Sequence, residues 1–319
     1  MRPQSRDKRI DSVKYWLIVL VIIGHVLRGK PFAENYECTV LMEWLYIFHM
    51  PLFIFISGYF SHKQNVKELP KSIWKLLEPL IIFQAIFKIQ EFIYNGTISI
   101  NSILHPGYTL WYLLSLIYWR LLLQIIPDKI INNSRLLITL TLIISIFSGF
   151  LPFNELLSIQ RTLAFMPFFF LGYCMKGKKI FLPKKYRLTS AIFLTISIFI
   201  PIFFSNYLGN LIHSTPYISF YSSFSRILVF CISIPMSLAF TTICPTTEWS
   251  EKQGKYTMQY YLYHALTIPC LMKVIIILDL PTSLFAAAIY SFIITIGIGI
   301  LLKIPYIHKL TNPSSLIKK

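Results

Sequence analysis

Charge is what this sequence has least of. Charged residues make up 13% of its 319 positions, against 55% hydrophobic and 16% aromatic, which leaves too little polar surface for a water-soluble globule. Acidic residues are the scarcer sign: 13 Asp+Glu stand against 30 Lys+Arg, a formal charge of +17. In a soluble protein that excess would suggest nucleic acid. Here no hydrophilic stretch exceeds about 20 residues, so there is no basic domain to bind it. The five cysteines, Cys38, Cys174, Cys231, Cys244 and Cys270, form neither a disulfide framework nor a zinc spacing. No A-x-A-like cleavage site follows the first apolar run, which is expected to be a retained span and not a signal peptide. The absence of a visible internal repeat counts against a transporter built from inverted repeats, and the absence of G-x-S-x-G counts against a serine nucleophile at Ser57.

What the chain does have is apolar runs long enough to cross a ~30 Å hydrocarbon layer as helices. They fall near 13–29, 43–60, 74–94, 109–126, 136–151, 161–175, 188–206, 223–243, 257–278 and 282–303. The fold expected is an all-α polytopic membrane bundle of about ten transmembrane helices, in one membrane-embedded domain covering 1–319. Basic residues gather in alternate connections: Arg2, Arg6, Lys8 and Arg9 before the first run, Lys63, Lys67 and Lys71 after the second, and six from Lys176 to Arg187 after the sixth. Segments 95–108, 151–160 and 207–222 hold no Lys or Arg. The positive-inside rule then puts both termini in the cytoplasm. The first outer connection, with Arg28, Lys30, Glu34 and Glu37, fits less cleanly.

One span carries ionisable groups where they are costly. In Lys14-YWLIVLVIIG-His25, eleven residues turn a helix through about three full turns and rise about 16 Å, so Lys14 and His25 share a face. Asp11 lies one turn before Lys14, completing a polar stripe on an otherwise apolar helix. Ionisable residues inside a span point to function by default.

These residues, with four further stretches, resemble the membrane acyltransferase-3 family. Arg9-Ile10-Asp11 followed by Lys14 and His25 is similar to its basic-residue-x10-His signature. Pro51-Leu-Phe-Ile-Phe-Ile-Ser57-Gly58-Tyr59 is similar to its P-L-F-x-F-x-S-G-Y segment, and Leu110-Trp111-Tyr112-Leu113 with Trp119-Arg120 to its fourth-span pattern. Arg161 through Gly172 resembles R-x3-F-x-P-[FY]-x3-G, and Gly254 through His264 resembles G-x2-[ST]-x3-Y-L-x-H. Among its branches the chain looks closest to sugar O-acetyltransferases of the fucose 4-O-acetylase-like kind.

The resemblance implies transfer of an acyl group, usually acetyl, from cytoplasmic acyl-CoA to a hydroxyl of a cell-surface glycan or lipid-linked saccharide, in a multi-pass protein of a bacterial cytoplasmic membrane. Acetyl-CoA would be a donor substrate, with no bound cofactor and no metal. Partners would be acyl-CoA, the saccharide acceptor and membrane lipids, without nucleic acid. Chemistry independently favours an imidazole, because a sugar hydroxyl needs a base whose pKa lies near working pH. His25 and Asp11 are the catalytic candidates; Lys14, Arg161, His49, His264, Arg120 and Glu91 are the substrate-binding ones. Each has a plainer alternative. Lys14 either holds a CoA phosphate or snorkels to the interface. His49 and His264 either serve the site or are buried, hydrogen-bonded histidines. Glu91 and Lys88, one turn apart, either orient a sugar or neutralise each other. Arg161 either binds the acceptor or anchors a helix end. Two other classes remain open, a polysaccharide or lipid-precursor translocator and a non-catalytic glycan-binding membrane protein.

The charge pattern yields a direct expectation: a reporter fused at Lys185 should be cytoplasmic and one at Asn101 external, scored with paired phosphatase and fluorescent-protein fusions. The reverse assignment at Lys185 would overturn the topology.

Overall fold

A computed structural model of the chain describes residues 7–97, 104–107, 109–153, 155–208, 213, 216–217, 222–304, 307 and 311. Among the described residues there are helices and no strands. In chain order they are α1 Lys8–Leu27, α2 Lys30–Ala33, α3 Tyr36–Phe60, α4 Leu69–Asn95, α5 Trp111–Ile125, α6 Asp128–Ile131 and α7 Ser134–Ser148. There follow α8 Ile159–Cys174, α9 Arg187–Ile196, α10 Phe199–Leu208, α11 Ser222–Ile243, α12 Glu248–Gln253, α13 Thr257–Ile277 and α14 Leu284–Leu301.

The protein is an all-α polytopic membrane protein. Seven helical stretches are long and apolar enough to cross a membrane, and Trp111–Ile125 and Ser134–Ser148 are shorter apolar helices. At 15 residues each these two are about 22 Å long, less than the hydrocarbon thickness. Helix α4 has the length, at 27 residues, but spreads Lys71, Lys75, Glu78, Lys88 and Glu91 along it. The run expected over 188–206 is broken in two at Ser197. Its hydroxyl donates to the Leu194 carbonyl and receives the Trp44 indole N–H.

The chain divides into two compact units. The first comprises Met1–Phe53, Ile180–Ser205 and Ile232–Ile304. Its central helix is α1, capped at the start by the Asp7 carboxylate, which accepts from the Arg9 and Ile10 N–H groups. Helices α12, α13 and α14 pack around α1 and bury Asp11, Ser12 and His25 along with its apolar residues. The serine hydroxyls of Ser250 and Ser12 are bonded at 2.9 Å. Pro51 inside α3 removes the hydrogen bond to the Ile47 carbonyl, and that oxygen is satisfied instead by the Ser233 hydroxyl of α11.

The second unit comprises Ile54–Lys179, Asn206–Cys231 and Pro305–Lys319. Here α8 packs between α7 and α5. The Trp119 indole donates to the Thr162 carbonyl at 2.9 Å, Ser115 and Thr162 share a hydroxyl bond of 2.7 Å, and the Ser145 hydroxyl donates to the Ala164 carbonyl. The last turns of α3 meet α8 through a reciprocal glycine contact. A Cβ on Gly58 would overlap the Phe169 carbonyl oxygen, and one on Gly172 would overlap that of Phe55. Two separate sequence motifs thus supply the two halves of one close helix approach.

In the first unit Gly254 plays a similar part: a Cβ there would overlap the Asp11 carbonyl oxygen, and backbone against backbone cannot yield. Gly254→Ala is expected to destabilise the detergent-solubilised protein by about 1–3 kcal/mol. Gly297→Ala in α14, where a Cβ meets open space, should be neutral or slightly stabilising. Thermal unfolding of the two variants side by side checks this; equal melting temperatures would show that α1 does not need the close approach.

Candidate functional site

Three of the candidate residues come together in the first unit. His25, on the last turns of α1, is 8% exposed and its Nδ1 lies 3.4 Å from the Tyr46 hydroxyl. Its ring centroid is 5.4 Å from that of His264. The Tyr46 ring in turn meets the His49 ring edge-on at 4.9 Å. The sequence brings this about by helical spacing: Tyr46 and His49 are one turn apart on α3, and His264 sits with Thr257, Tyr260 and Tyr261 on the buried side of α13.

His49 and His264 share a local geometry. Each Nδ1 bonds the carbonyl four residues earlier, Leu45 at 2.5 Å and Tyr260 at 3.0 Å. A carbonyl only accepts, so in both residues Nδ1 carries the proton and a neutral ring presents its Nε2 lone pair. The His264 Nε2 is buried and has no hydrogen-bond partner among the described residues. An orphaned buried acceptor costs about 1–3 kcal/mol. It marks a place where a donor from substrate or water belongs.

Asp11 and Lys14 form an ion pair of 2.7 Å with little exposure. Asp11 is fourteen residues from His25 on the same helix, about 21 Å along the axis, so its carboxylate does not reach the imidazole. The polar stripe holds two separate centres, an ion pair at the beginning of α1 and a histidine cluster at its end.

Glu91, Arg120 and Arg161 lie in the second unit. Glu91 pairs with Lys88 at 2.6 Å, which is the mutual neutralisation weighed from the sequence. Arg120, half-buried near the end of α5, donates to the Ser72 hydroxyl at 3.2 Å. Arg161 is nine-tenths buried at the start of α8; it reaches Glu155 at 3.3 Å and lies 5.3 Å above the Trp111 ring. Trp111 opens α5 and Arg120 lies nine residues on, so Arg120 is about 14 Å along the axis from the residue that Arg161 covers. The Ser57 hydroxyl is bonded to the Tyr112 hydroxyl at 2.5 Å.

Two further residues join Arg161. Arg226, at the start of α11, is 2% exposed and His213 is 6% exposed. Arg226 donates to the Ser145 carbonyl at 2.5 Å and to the Ser148 hydroxyl at 2.9 Å, and lies 4.7 Å above the Tyr217 ring. His213 is held well below the usual histidine range, first by burial and then by the guanidinium groups of Arg226 and Arg161. Three backbone positions here have positive φ without being glycine: Leu157 at 46°, Ser158 at 57° and His213 at 52°. Such conformations cost roughly 1–3 kcal/mol each and gather at functional positions. A lone histidine in an irregular connection has no periodicity to expose it; the cue in the sequence was the pair of arginines at the edges of apolar runs.

Comparison with known proteins places this geometry in a family. Residues 7–303 match the model of the acyltransferase domain of the acyltransferase-3 family. The chain is 41% identical over 59 residues to nodulation protein NolL of Sinorhizobium fredii, covering 18% of this chain and 16% of that protein. It is 34% identical over 86 residues to nodulation protein NolL of Mesorhizobium japonicum, covering 25% and 23%. The matched stretches thus span a quarter or less of these curated relatives. No solved structure matches. Since the family model takes in almost the whole chain, with the α1 stripe, the glycine contacts and the histidine cluster all inside the match, the protein belongs to the acyltransferase-3 family of membrane acyltransferases.

Proposed function

We propose that this protein is an O-acyltransferase of a bacterial cytoplasmic membrane that moves acetyl, or another short acyl group, from cytoplasmic acyl-CoA to a hydroxyl of a cell-surface glycan or lipid-linked saccharide. The observation that carries the reading is His25: an imidazole enclosed by protein, beside a second imidazole whose acceptor nitrogen is orphaned, on the helix that begins with the Asp11–Lys14 pair. In this reading all ten apolar stretches span and both termini are cytoplasmic, so α1 runs outward.

In the reaction His25 takes the proton of the acceptor hydroxyl as its oxygen attacks the thioester carbonyl. A new C–O bond forms, the C–S bond breaks, and the CoA sulfur leaves with the electron pair and is reprotonated by the imidazolium. The proton balance closes without a further cofactor. Lys14 holds a CoA phosphate at the inner end of α1 as a point charge, and Asp11 positions that ammonium. The rise of about 16 Å from Lys14 to His25 matches an extended pantetheine arm between a phosphate contact and the reacting carbonyl. His264 and His49 flank the acceptor; Arg161, at the outer end of α8 in the second unit, is a separate candidate for holding saccharide. Arg120 and the Lys88–Glu91 pair have structural parts in this scheme.

His25→Ala is expected to remove about 10²–10⁴ of the rate at unchanged abundance and insertion. Mass spectrometry of surface glycan from a deletion strain complemented with each variant reads this as loss of acetyl; full acetylation by a well-expressed His25→Ala protein would dismiss the assignment. A translocator would instead lose surface saccharide altogether, and a glycan-binding protein would leave purified acetyl-CoA unconsumed. Lys14→Ala should weaken binding of a non-hydrolysable acyl-CoA analogue, and Lys14→Arg should keep much of it. Unchanged affinity in Lys14→Ala would reduce Lys14 to an interfacial anchor.

A further inference from the structure

Arg226 is buried at 2% exposure, and among the described residues no carboxylate lies within ion-pair distance of it. Its known partners are neutral: the Ser145 carbonyl, the Ser148 hydroxyl and the Tyr217 ring. Its Nε is buried with no hydrogen-bond partner among the described residues. A guanidinium in that state has lost its hydration without gaining a counter-charge, which is costly unless an anion completes it.

The surroundings repeat the same sign. Arg161 lies over the Trp111 ring, which stacks on the Phe165 that meets His213, and both guanidiniums act on that histidine; a carboxylate paired with Arg161, Glu155, is largely exposed. The Arg226 charge thus sits in a field that already contains a second guanidinium. Helices α5, α8 and α11 begin here, and none carries an acidic residue in its first turn, so their N-terminal dipoles add to the positive field. The connections at this end, 151–160 and 207–222, contain no other Lys or Arg. Topology does not require the two arginines on this side, since the positive-inside rule works against basic residues there.

The walls are aromatic. Trp111 stacks on Phe165 at 5.4 Å, and Phe165 meets His213 edge-on at 5.2 Å. Tyr217 is fixed under Arg226 by two bonds to α7, its N–H to the Gly149 carbonyl and its hydroxyl to the Ile146 carbonyl. A planar, five-donor guanidinium held by aromatic rings matches an oxyanion with two or more acceptor oxygens, and a compact ammonium would not.

We propose that Arg226, Arg161 and His213 form an oxyanion subsite of the second unit, which takes a carboxylate or phosphate carried by a saccharide. The proposal deepens the function proposed above and rests on its acceptor arriving at this side. The His213 ring donates one hydrogen bond as a neutral group, while the two guanidiniums supply the charge.

Binding to the purified full chain in detergent tests it, using D-glucuronate as the carboxylate probe, glucose 1-phosphate as the phosphate probe and glucose as the neutral one, at matched ionic strength. At least one charged sugar should bind more tightly than glucose, and which one does so identifies the source of the oxyanion. Arg226→Ala should lower that affinity about tenfold or more, the worth of a charge-assisted hydrogen bond, and Arg226→Lys should recover part of it. Binding of the acyl-CoA analogue to the same preparations shows that the variants are folded and should not change. Equal affinity for glucose and both charged sugars, or undiminished affinity in a folded Arg226→Ala protein, would overturn the subsite. Failure to turn over acetyl-CoA with charge-selective sugar binding intact would instead sink the proposed reaction and leave the subsite standing.

Discussion

A charged or hydrogen-bonding group placed in hydrocarbon must be satisfied by protein, because no water is there to do it. The helices of this protein are sorted by that requirement. Helix α1, with Asp11, Lys14 and His25, is mostly buried inside the protein, whereas α14, whose Leu284–Leu301 stretch holds no Asp, Glu, Lys, Arg or His, is mostly uncovered. Phe285, Phe292, Ile293 and Ile300 of α14 are exposed, as lipid-facing residues should be. The most apolar helix thus leaves most of its surface uncovered while the helix with the polar stripe is largely enclosed, the inverse of a soluble fold. Gly254 belongs to the same requirement: by letting backbone meet backbone at Asp11 it closes protein around the carboxylate that Lys14 neutralises.

The histidines show how a helix can prepare an imidazole for chemistry without a dedicated partner. A side chain that returns its Nδ1–H to the carbonyl four residues back borrows an acceptor that the helix always supplies, and the ring is fixed in tautomer and rotamer at once. His49 and His264 both do this. His25 faces the Tyr46 hydroxyl instead, and a hydroxyl both donates and accepts. The His25 Nδ1 contact can follow a change of tautomer, accepting from Tyr46 in one form and donating to it in the other.

Much of this was legible in the sequence, for physical reasons that differ by residue. Apolar runs marked the helices because hydrocarbon tolerates little else, and the eleven-residue interval put Lys14 and His25 on one face of α1. The pairing of Gly58 with Gly172 needed the structure, since sequence spacing within one helix says nothing about which other helix it meets. The break at Ser197 was invisible because serine stops a helix only where something else engages its hydroxyl, here the Trp44 indole from far along the chain. Arg226 was visible as a basic residue at the edge of a span. Its convergence with Arg161 on His213 was not, because the three come from separate segments.

The two polar centres differ in what they can do with a proton. At His213 the nearby guanidiniums disfavour a third positive charge, so the ring stays neutral and is a poor base: taking a proton there means placing imidazolium beside two cations. Such a site can bind negative charge but cannot accept a proton at little cost. Around His25 lie the Tyr46 hydroxyl and the His264 ring. An imidazolium forming there meets rings and a hydroxyl, and the orphaned Nε2 of His264 is an acceptor that such a charge would favour. In the proposed reaction this difference favours proton transfer at the cluster at the end of α1 and anion binding at the arginines.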